Sequence, residues 1–403
     1  MRNKPVSVMW ESTIACGLAC KHCKASAKKT RDKDELTTEE AKDFIDQIAS
    51  FGKPFPILRI TGGNALMRDD IFKLISYAKD YGMQVTIAPS TTPLLNRHNI
   101  VKLKKSGVDV VAVSIDGHTP ELHDSFRGVK GTFSWLLNAC NIMREIKLPF
   151  RLLTTVTKFN VRYLPEIFLL SKKLGAIGWY LYMLIPTGRA LKEYQVSPQE
   201  LEDVFNFVYD VMKLKIMKVN PIAGSEPFRR VAVTRYLIEK GKIGKDALVL
   251  GELYFLLKNK LEKMIEKEDP GQNSILNVKK TRSEKKFGKG IFVSKNGDVY
   301  PSSFLPLPLG NVRKENLVEI YRHARILREM QDSQKIKGKC RICEFNTICR
   351  GSRSRAYAIT GDYLSEDPAC IYIPGKIGKI DNFRKILEEI KVTHFSSPIQ
   401  RAS

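Results

Sequence analysis

No apolar run in this 403-residue sequence reaches the roughly 18 residues that a membrane-spanning helix needs. The opening Met1-Arg2-Asn3-Lys4-Pro5 carries charge, but no apolar core of signal-peptide type follows it. The reading is a cytoplasmic protein without a membrane span. Acidic residues are short: 43 Asp and Glu face 67 Lys and Arg, a formal net charge of +24. Such a balance suits nucleic acid, an anionic membrane or an acidic substrate. No zinc-finger, helix-turn-helix or RNP pattern accompanies the charge, so nucleic-acid binding is not expected. A small anionic substrate, or a peptide with acidic groups, makes better use of it. Cysteine is scarce as well, with eight in the chain, and seven of them fall into two clusters. A secreted disulfide protein would scatter them; clusters point to metal.

The first cluster is Cys16-Gly17-Leu18-Ala19-Cys20-Lys21-His22-Cys23. Three thiolates can hold three irons of a cubic cluster and leave the fourth iron open to a substrate or cofactor, since a fully ligated cube takes four. Spacing alone also allows half a zinc site, which prefers paired C-x2-C units, or unligated thiols. The second cluster is Cys340-x2-Cys343-x5-Cys349 with Cys370 beyond it. Four cysteines can close a zinc site or a 4Fe–4S cluster, and spacing does not separate the two. Cys140 stands alone in a helical run and reads as a buried core thiol.

The first half alternates apolar β-branched runs with amphipathic stretches. Strands are predicted at Val6–Ser12, Pro56–Thr61, Gln84–Ala88, Val108–Ile115, Phe150–Val156 and Ile177–Leu184. Helices are predicted at Thr38–Phe51 with a Thr38 cap, Asp70–Tyr81, Asn96–Ser106, Thr132–Ile146 and Leu164–Leu174. Gly82, Gly107 and Gly175 mark helix ends. This alternation implies a parallel sheet with right-handed crossovers. The fold class is therefore α/β, a partial (β/α)6 TIM-type barrel with its active groups at the strand C-termini. Residues 196–289 break the pattern with two long amphipathic helices, Pro198–Met217 and Leu248–Lys267, and a turn at Asp269–Asn273; they read as a helical bridging segment. The third block opens with a hairpin around Asn296-Gly297 and carries the second cysteine cluster. The expected division is 1–195, 196–289, 290–375 and a C-terminal helix and tail over 376–403, frayed from Thr393.

The C-x3-C-x2-C loop after strand one, with His22 before its last cysteine, resembles the signature of the radical S-adenosylmethionine (radical SAM) enzymes. The resemblance implies that S-adenosylmethionine chelates the open iron, that one electron from the reduced cluster breaks its C5′–S bond, and that a 5′-deoxyadenosyl radical abstracts hydrogen from a substrate. Thr61-Gly62-Gly63-Asn64 resembles the family's Gly-Gly-Glu motif for the S-adenosylmethionine amino group, with Asn64 where an acid is usual. Its carbonyl oxygen can still accept. Read without that context, the glycines form a simple turn. Ser114 and Arg127 resemble the Ser after strand four and the Arg of the next loop, which implies a ribose or carboxylate contact for Ser114 and a carboxylate partner for Arg127. The bland reading of Arg127 is a solvated pair with Asp124. Ser90 adds a further contact after strand three. Arg189, after strand six, is placed at the barrel mouth facing an anionic substrate, or in a plain turn.

The second cysteine cluster resembles the SPASM/twitch extension of this family, which implies an auxiliary iron–sulfur cluster on Cys340, Cys343, Cys349 and Cys370. The chain departs from the full pattern: Pro301-Ser302-Ser303-Phe304 stands where a first cysteine is expected. The run Cys349-Arg350-Gly351-Ser352-Arg353-Ser354-Arg355, followed by Asp367-Pro368-Ala369-Cys370, is similar to the alternative haem-biosynthesis branch, Fe-coproporphyrin decarboxylase and didecarboxysiroheme deacetylase. The resemblance covers about residues 6–190 and 288–375. It implies two 4Fe–4S clusters, S-adenosylmethionine, and an electron donor of reductase or ferredoxin type. A carboxylated tetrapyrrole would meet Arg350, Arg353 and Arg355; a peptide or cofactor precursor is the alternative. An iron–sulfur electron-transfer protein without S-adenosylmethionine turnover is the reading from another class, and a basic zinc-containing nucleic-acid binder the third.

Overall fold

In the computed structural model, residues 4–268, 290–378 and Ile386 are described. The expected turn at Asp269–Asn273 and the C-terminal tail from Thr393 lie outside them, as does most of the expected C-terminal helix. Six parallel strands follow the alternation: β1 (Ser7–Glu11), β2 (Ile57–Thr61), β3 (Val85–Ile87), β4 (Val110–Ser114), β5 (Phe150–Val156) and β6 (Gly178–Met183). Helices α1 (Thr38–Ala49), α2 (Ile71–Asp80), α3 (Arg97–Lys105), α4 (Pro120–Arg127), α5 (Thr132–Glu145) and α6 (Leu164–Lys173) lie between them. The bridging stretch supplies α7 (Pro198–Lys213), α8 (Phe228–Glu239) and α9 (Glu252–Glu268), and also a strand, β7 (Lys218–Pro221). That strand went unseen in the sequence because Lys218-Val219-Asn220-Pro221 has a single apolar β-branched residue.

One sheet runs β10-β9-β8-β1-β2-β3-β4-β5-β6-β7, where β8 is Ile291–Val293, β9 Asp298–Tyr300 and β10 Gly310–Asn311. The hairpin β8–β9 is joined to β1, Met9 opposite Phe292, so the third block continues the barrel sheet. The helix-facing side forms the core: Val8, Trp10, Leu58, Ile60, Val111, Val113, Leu152, Trp179 and Leu181 are all almost wholly buried. Trp10 meets Phe44 of α1 with ring centroids 5.6 Å apart.

Local signals act largely as predicted. The cap of α1 is Thr37, one residue before the expected Thr38: Thr37 Oγ1 accepts from Glu40 N and the Glu40 carboxylate accepts from Thr37 N, a reciprocal box. Chain reversal after α2, α3 and α6 uses Gly82, Gly107 and Gly175 at φ 83°, 90° and 83°. Among the described residues no helix is long and apolar enough to cross a membrane.

Candidate active site at two cysteine clusters

The first cysteine loop leaves the C-terminal end of β1 and is pinned at its base. Glu35, buried, accepts from Thr13 Oγ1 and Ile14 N at 2.8 Å each and from Arg31 Nε at 2.8 Å. Cys16 N donates to Lys28 O at 2.7 Å, closing the loop. Gly63 N and Asn64 N donate to Thr13 O and Ala15 O at 2.7 and 2.6 Å. A Cβ on Gly62 or Gly63 would overlap those same backbone atoms. The two glycines are thus required by the cysteine loop, whose backbone lies where a side chain would be. Ser90 Oγ donates to Gly63 O at 2.7 Å and lies 3.3 Å from Cys16 Sγ.

The structure gives several predicted residues other partners. Asn64 is fully buried; its Oδ1 accepts from Leu66 N and Ser90 N at 3.2 and 3.3 Å, and its Nδ2 donates to Thr92. The side chain holds the Ser90 loop, and its carbonyl oxygen is already used. Arg127 is buried, not on a solvated loop, and its partner is Asp116, not Asp124. Asp124 instead collects Gly131 N, Phe133 N and Thr132 Oγ1. Arg127 Nη1 lies 3.7 Å from Cys20 Sγ, and its backbone oxygen accepts from Ala19 N at 3.2 Å. Asp116 Oδ1 accepts from Thr155 N at 2.8 Å, so a buried chain Asp116–Arg127–Cys20 runs from the sheet to the thiol. Asp116 was legible only as the residue two beyond Ser114, the last of β4. Ser114 itself is partly exposed there.

Arg189 does not face open space at the mouth. Its Nε and Nη1 donate to Cys20 O and Ala27 O at 3.1 and 3.2 Å, and its backbone N to Cys23 O at 3.0 Å. Gly188 at φ 62° lets this approach happen, since a Cβ would strike the carbonyls of Cys23 and Lys24. The strand-six loop is therefore a clamp on the cysteine loop.

The electrostatics fit an anionic group on these thiols. Burial pushes the Cys20 thiol up, and the Arg127 guanidinium pulls it back. His22 stacks on Phe126 at 4.5 Å and 1°; burial, then Arg127 and Arg189, hold it well below the usual imidazole range. Leu18 N points at Cys16 Sγ and Ala27 N at Cys23 Sγ, 3.4 Å each. Buried Arg127 Nε and Arg189 Nη2 have no protein partner. Cationic donors left over beside three thiols suit a thiolate-bound cluster.

Cys340, Cys343, Cys349 and Cys370 line one pocket together with Arg230, Lys339 and Arg350. Burial raises all four thiols, Cys343 to about 12. Gly351 N and Asp367 N point at Cys349 Sγ and Cys340 Sγ, 3.4 and 3.5 Å. Among the described residues no three His, Cys, Asp or Glu side chains converge to hold a single ion. Arg353 and Arg355 do not reach outward to a ligand. Arg355 is buried against Asp367 (3.0 and 3.2 Å) and Gly224 O; Arg353 donates to Tyr363 O and Ser365 O. Both build the loop that carries Cys349 and Cys370. Arg350 lines the pocket and is partly exposed.

The side of the sheet facing away from the helices forms the barrel lumen. Phe292, Met9, Arg59 and Thr86 stand in one row by register. Arg151 lies over the Tyr180 ring at 4.9 Å, and Lys218 over the same ring at 6.0 Å. Arg59 and Arg151 both bear on the Tyr182 hydroxyl, which burial raises. Lys24, next to Cys23, reaches Glu11 at 3.6 Å and the Phe292 ring at 4.3 Å. Phe304, from the stretch that lacks the family's cysteine, meets Tyr182 at 6.3 Å.

Residues 10–170 match the sequence profile of the radical SAM superfamily. The chain is 36% identical over 384 residues to the AdoMet-dependent heme synthase of Methanosarcina barkeri (strain Fusaro / DSM 804), covering 93% of this chain and 99% of that protein. It is 31% identical to the Fe-coproporphyrin III synthase of the same organism, over 93% and 90% of the two chains. The mycofactocin maturase MftC of Mycolicibacterium smegmatis is 27% identical over 92% of this chain and 83% of its own. Streptococcus suis SuiB bound to S-adenosylmethionine has a similar fold, with TM-score 0.61 at 14% identity over 92% of this chain and 78% of that one. Matching profile, near full-length relatives and shared partial-barrel fold agree: the chain belongs to the radical SAM superfamily, enzymes whose radical chemistry uses a 4Fe–4S cluster and S-adenosylmethionine.

Proposed function

We propose that this enzyme acts on an iron porphyrin bearing carboxylate side chains, in the late steps of haem formation, in the cytoplasm. The observation that carries the reading is the lumen: Arg59, Arg151 and Lys218 stand among Tyr180, Tyr182, Phe292 and Phe304. Aromatic faces suit a flat ring, and guanidinium forks suit its carboxylates. The names of the heme synthase and Fe-coproporphyrin III synthase relatives support the same class.

In this reading Cys16, Cys20 and Cys23 hold the first cluster, and Cys340, Cys343, Cys349 and Cys370 the second. The first supplies the electron that cleaves S-adenosylmethionine, and the second supplies an acceptor for an electron left by the substrate. Gly62, Gly63, Ser90 and Ser114 present backbone and hydroxyl groups to S-adenosylmethionine. Arg127 and Arg189 hold the loop in place and offset its negative charge. Removal of hydrogen beside a carboxylated carbon, then loss of CO2 and one electron, leaves an alkene on the ring.

The test is anaerobic incubation of the reconstituted, reduced protein with S-adenosylmethionine and Fe-coproporphyrin. Matched formation of 5′-deoxyadenosine and a porphyrin lighter by CO2 and two hydrogens is expected. Deoxyadenosine without porphyrin change would refute the substrate. Cys20→Ala should abolish S-adenosylmethionine cleavage and keep the second cluster's iron. Cys343→Ala should lower the iron content and product while cleavage partly survives. A peptide substrate is the second reading, favoured by the similarity to a maturase over 92% of this chain; modification of a precursor peptide under the same conditions would establish it.

A further inference from the structure

The first cysteine loop reaches the surface on one side. Gly17, Ala19 and Lys21 are exposed while Leu18 and Cys20 beside them are buried. From there an unbroken set of ring contacts leads outward. His22 stacks on Phe126, Phe126 meets Phe159 at 5.7 Å, and Phe159 meets Tyr194 at 5.0 Å. Phe159 is 38% exposed and Leu191 47% exposed, large apolar groups in open solvent. Lys21 Nζ stands 5.0 Å over the Phe159 ring. Lys158 N donates to Tyr194 O at 3.0 Å, and Tyr194 N to Leu191 O, which ties the loop after β5 to the segment after β6. Lys158 and Lys192 are exposed on those two segments, Glu193 being the acid among them. Among the described residues Lys21, Lys158 and Lys192 pair with no carboxylate.

We propose that this face, Lys21, Lys158, Phe159, Leu191 and Lys192, docks an acidic one-electron carrier protein. The proposal rests on the reading that Cys16, Cys20 and Cys23 hold a cluster that must be reduced. The carrier is oxidised by one electron, the cluster is reduced by one, and no bond or proton changes. A small apolar centre ringed by unpaired lysines is the surface that a transient acidic partner fits: the charge steers encounter and the exposed ring gives contact. The position is what separates it from other basic surface, because Phe159 is joined through Phe126 to the residue beside Cys23.

The experiment is calorimetric titration of the reconstituted protein with an acidic plant-type 2Fe–2S ferredoxin. Wild-type binding should weaken steeply between about 0.05 and about 0.3 M salt. The double variant K158E/K192E should bind at least about tenfold more weakly at low salt. It should also accept electrons from reduced ferredoxin more slowly, followed by bleaching of the cluster absorbance, while dithionite-driven 5′-deoxyadenosine formation is unchanged. Unaltered ferredoxin affinity in the variant, or no wild-type binding, overturns the proposal. So does an equal loss with dithionite, which would make this face part of the reaction site. Failure of the underlying reading looks different: reconstituted wild-type protein then lacks the first cluster's iron and forms no 5′-deoxyadenosine with dithionite either, whatever the titration shows.

Discussion

At the scale of single residues, arginine decides most. Four arginines expected to meet ligands are instead tied to the protein. Arg127 joins Asp116 to Cys20, Arg189 holds the carbonyls of the first cysteine loop, and Arg353 and Arg355 shape the second. A buried guanidinium needs its carboxylate, so removing one partner is costly, about 3–5 kcal/mol. Arg355→Met, which leaves Asp367 buried without its cation, should lose stability of that order in urea unfolding. Asp367 also accepts from Ser352 N and Ala369 N, so iron retained by Cys340, Cys343, Cys349 and Cys370 should fall in the same variant. Gly188→Ala imposes φ 62° on a side chain that also has no room. Strain of about 1–3 kcal/mol is expected, and reconstitution should yield less iron because the Arg189 clamp is displaced. Unchanged iron per chain would show that the clamp is dispensable.

At the scale of elements, capping and strand ends do the positioning. The Thr37–Glu40 box starts α1, whose apolar face covers Trp10 and Val8 of β1, the strand that launches the cysteine loop. Thr37→Ala should cost about 1 kcal/mol in unfolding free energy without altering cluster loading. Thr37 is exposed and its side chain bonds Glu40 rather than the cysteine loop, so a loading defect would mean that α1 transmits strain to the loop. Elements with strong periodicity or β-branching were readable from sequence: β1 to β6, α1 to α3, α5 and α6 were all expected. What escaped had weak local signal. β7 has a single β-branched residue and gains its pairing from β6, Tyr180 opposite Asn220. α4 is eight residues long and was read as loop, because only its Thr119 cap and Pro120 announce a helix.

At the scale of the whole molecule, two distant parts of the chain meet. β8 pairs with β1, so the block carrying the second cysteine cluster is hydrogen-bonded to the strand that carries the first. Glu329 secures part of that block, accepting from Tyr363 and pairing with Arg325 and Lys335. These partners, the Tyr363 hydrogen bond first, hold its carboxyl down from the ordinary 4.5 to about 2. A depressed folded value means its stabilisation is complete above pH 4.5 and lost as pH falls toward 2. Glu329→Gln should therefore flatten the acid limb of stability in that window and leave the slope near neutrality unchanged. The effect will be modest, since Arg325 is largely in solvent and water screens the pair. An unaltered acid limb would place the acid sensitivity elsewhere.

What the sequence by itself determined is local: three cysteines within eight residues, four more within 31, and a strand–helix alternation that puts the first group at a strand end. Close spacing closes small loops at little entropic cost, so a chelating set is readable without a fold. Only the tertiary structure decided which partner each arginine takes, that Asn64 is turned inward, and that Arg59, Arg151 and Lys218 share one lumen. Those outcomes rest on contacts between distant parts of the chain. A guanidinium carries the same charge toward a ligand, a carboxylate or a carbonyl, and packing alone chooses among them.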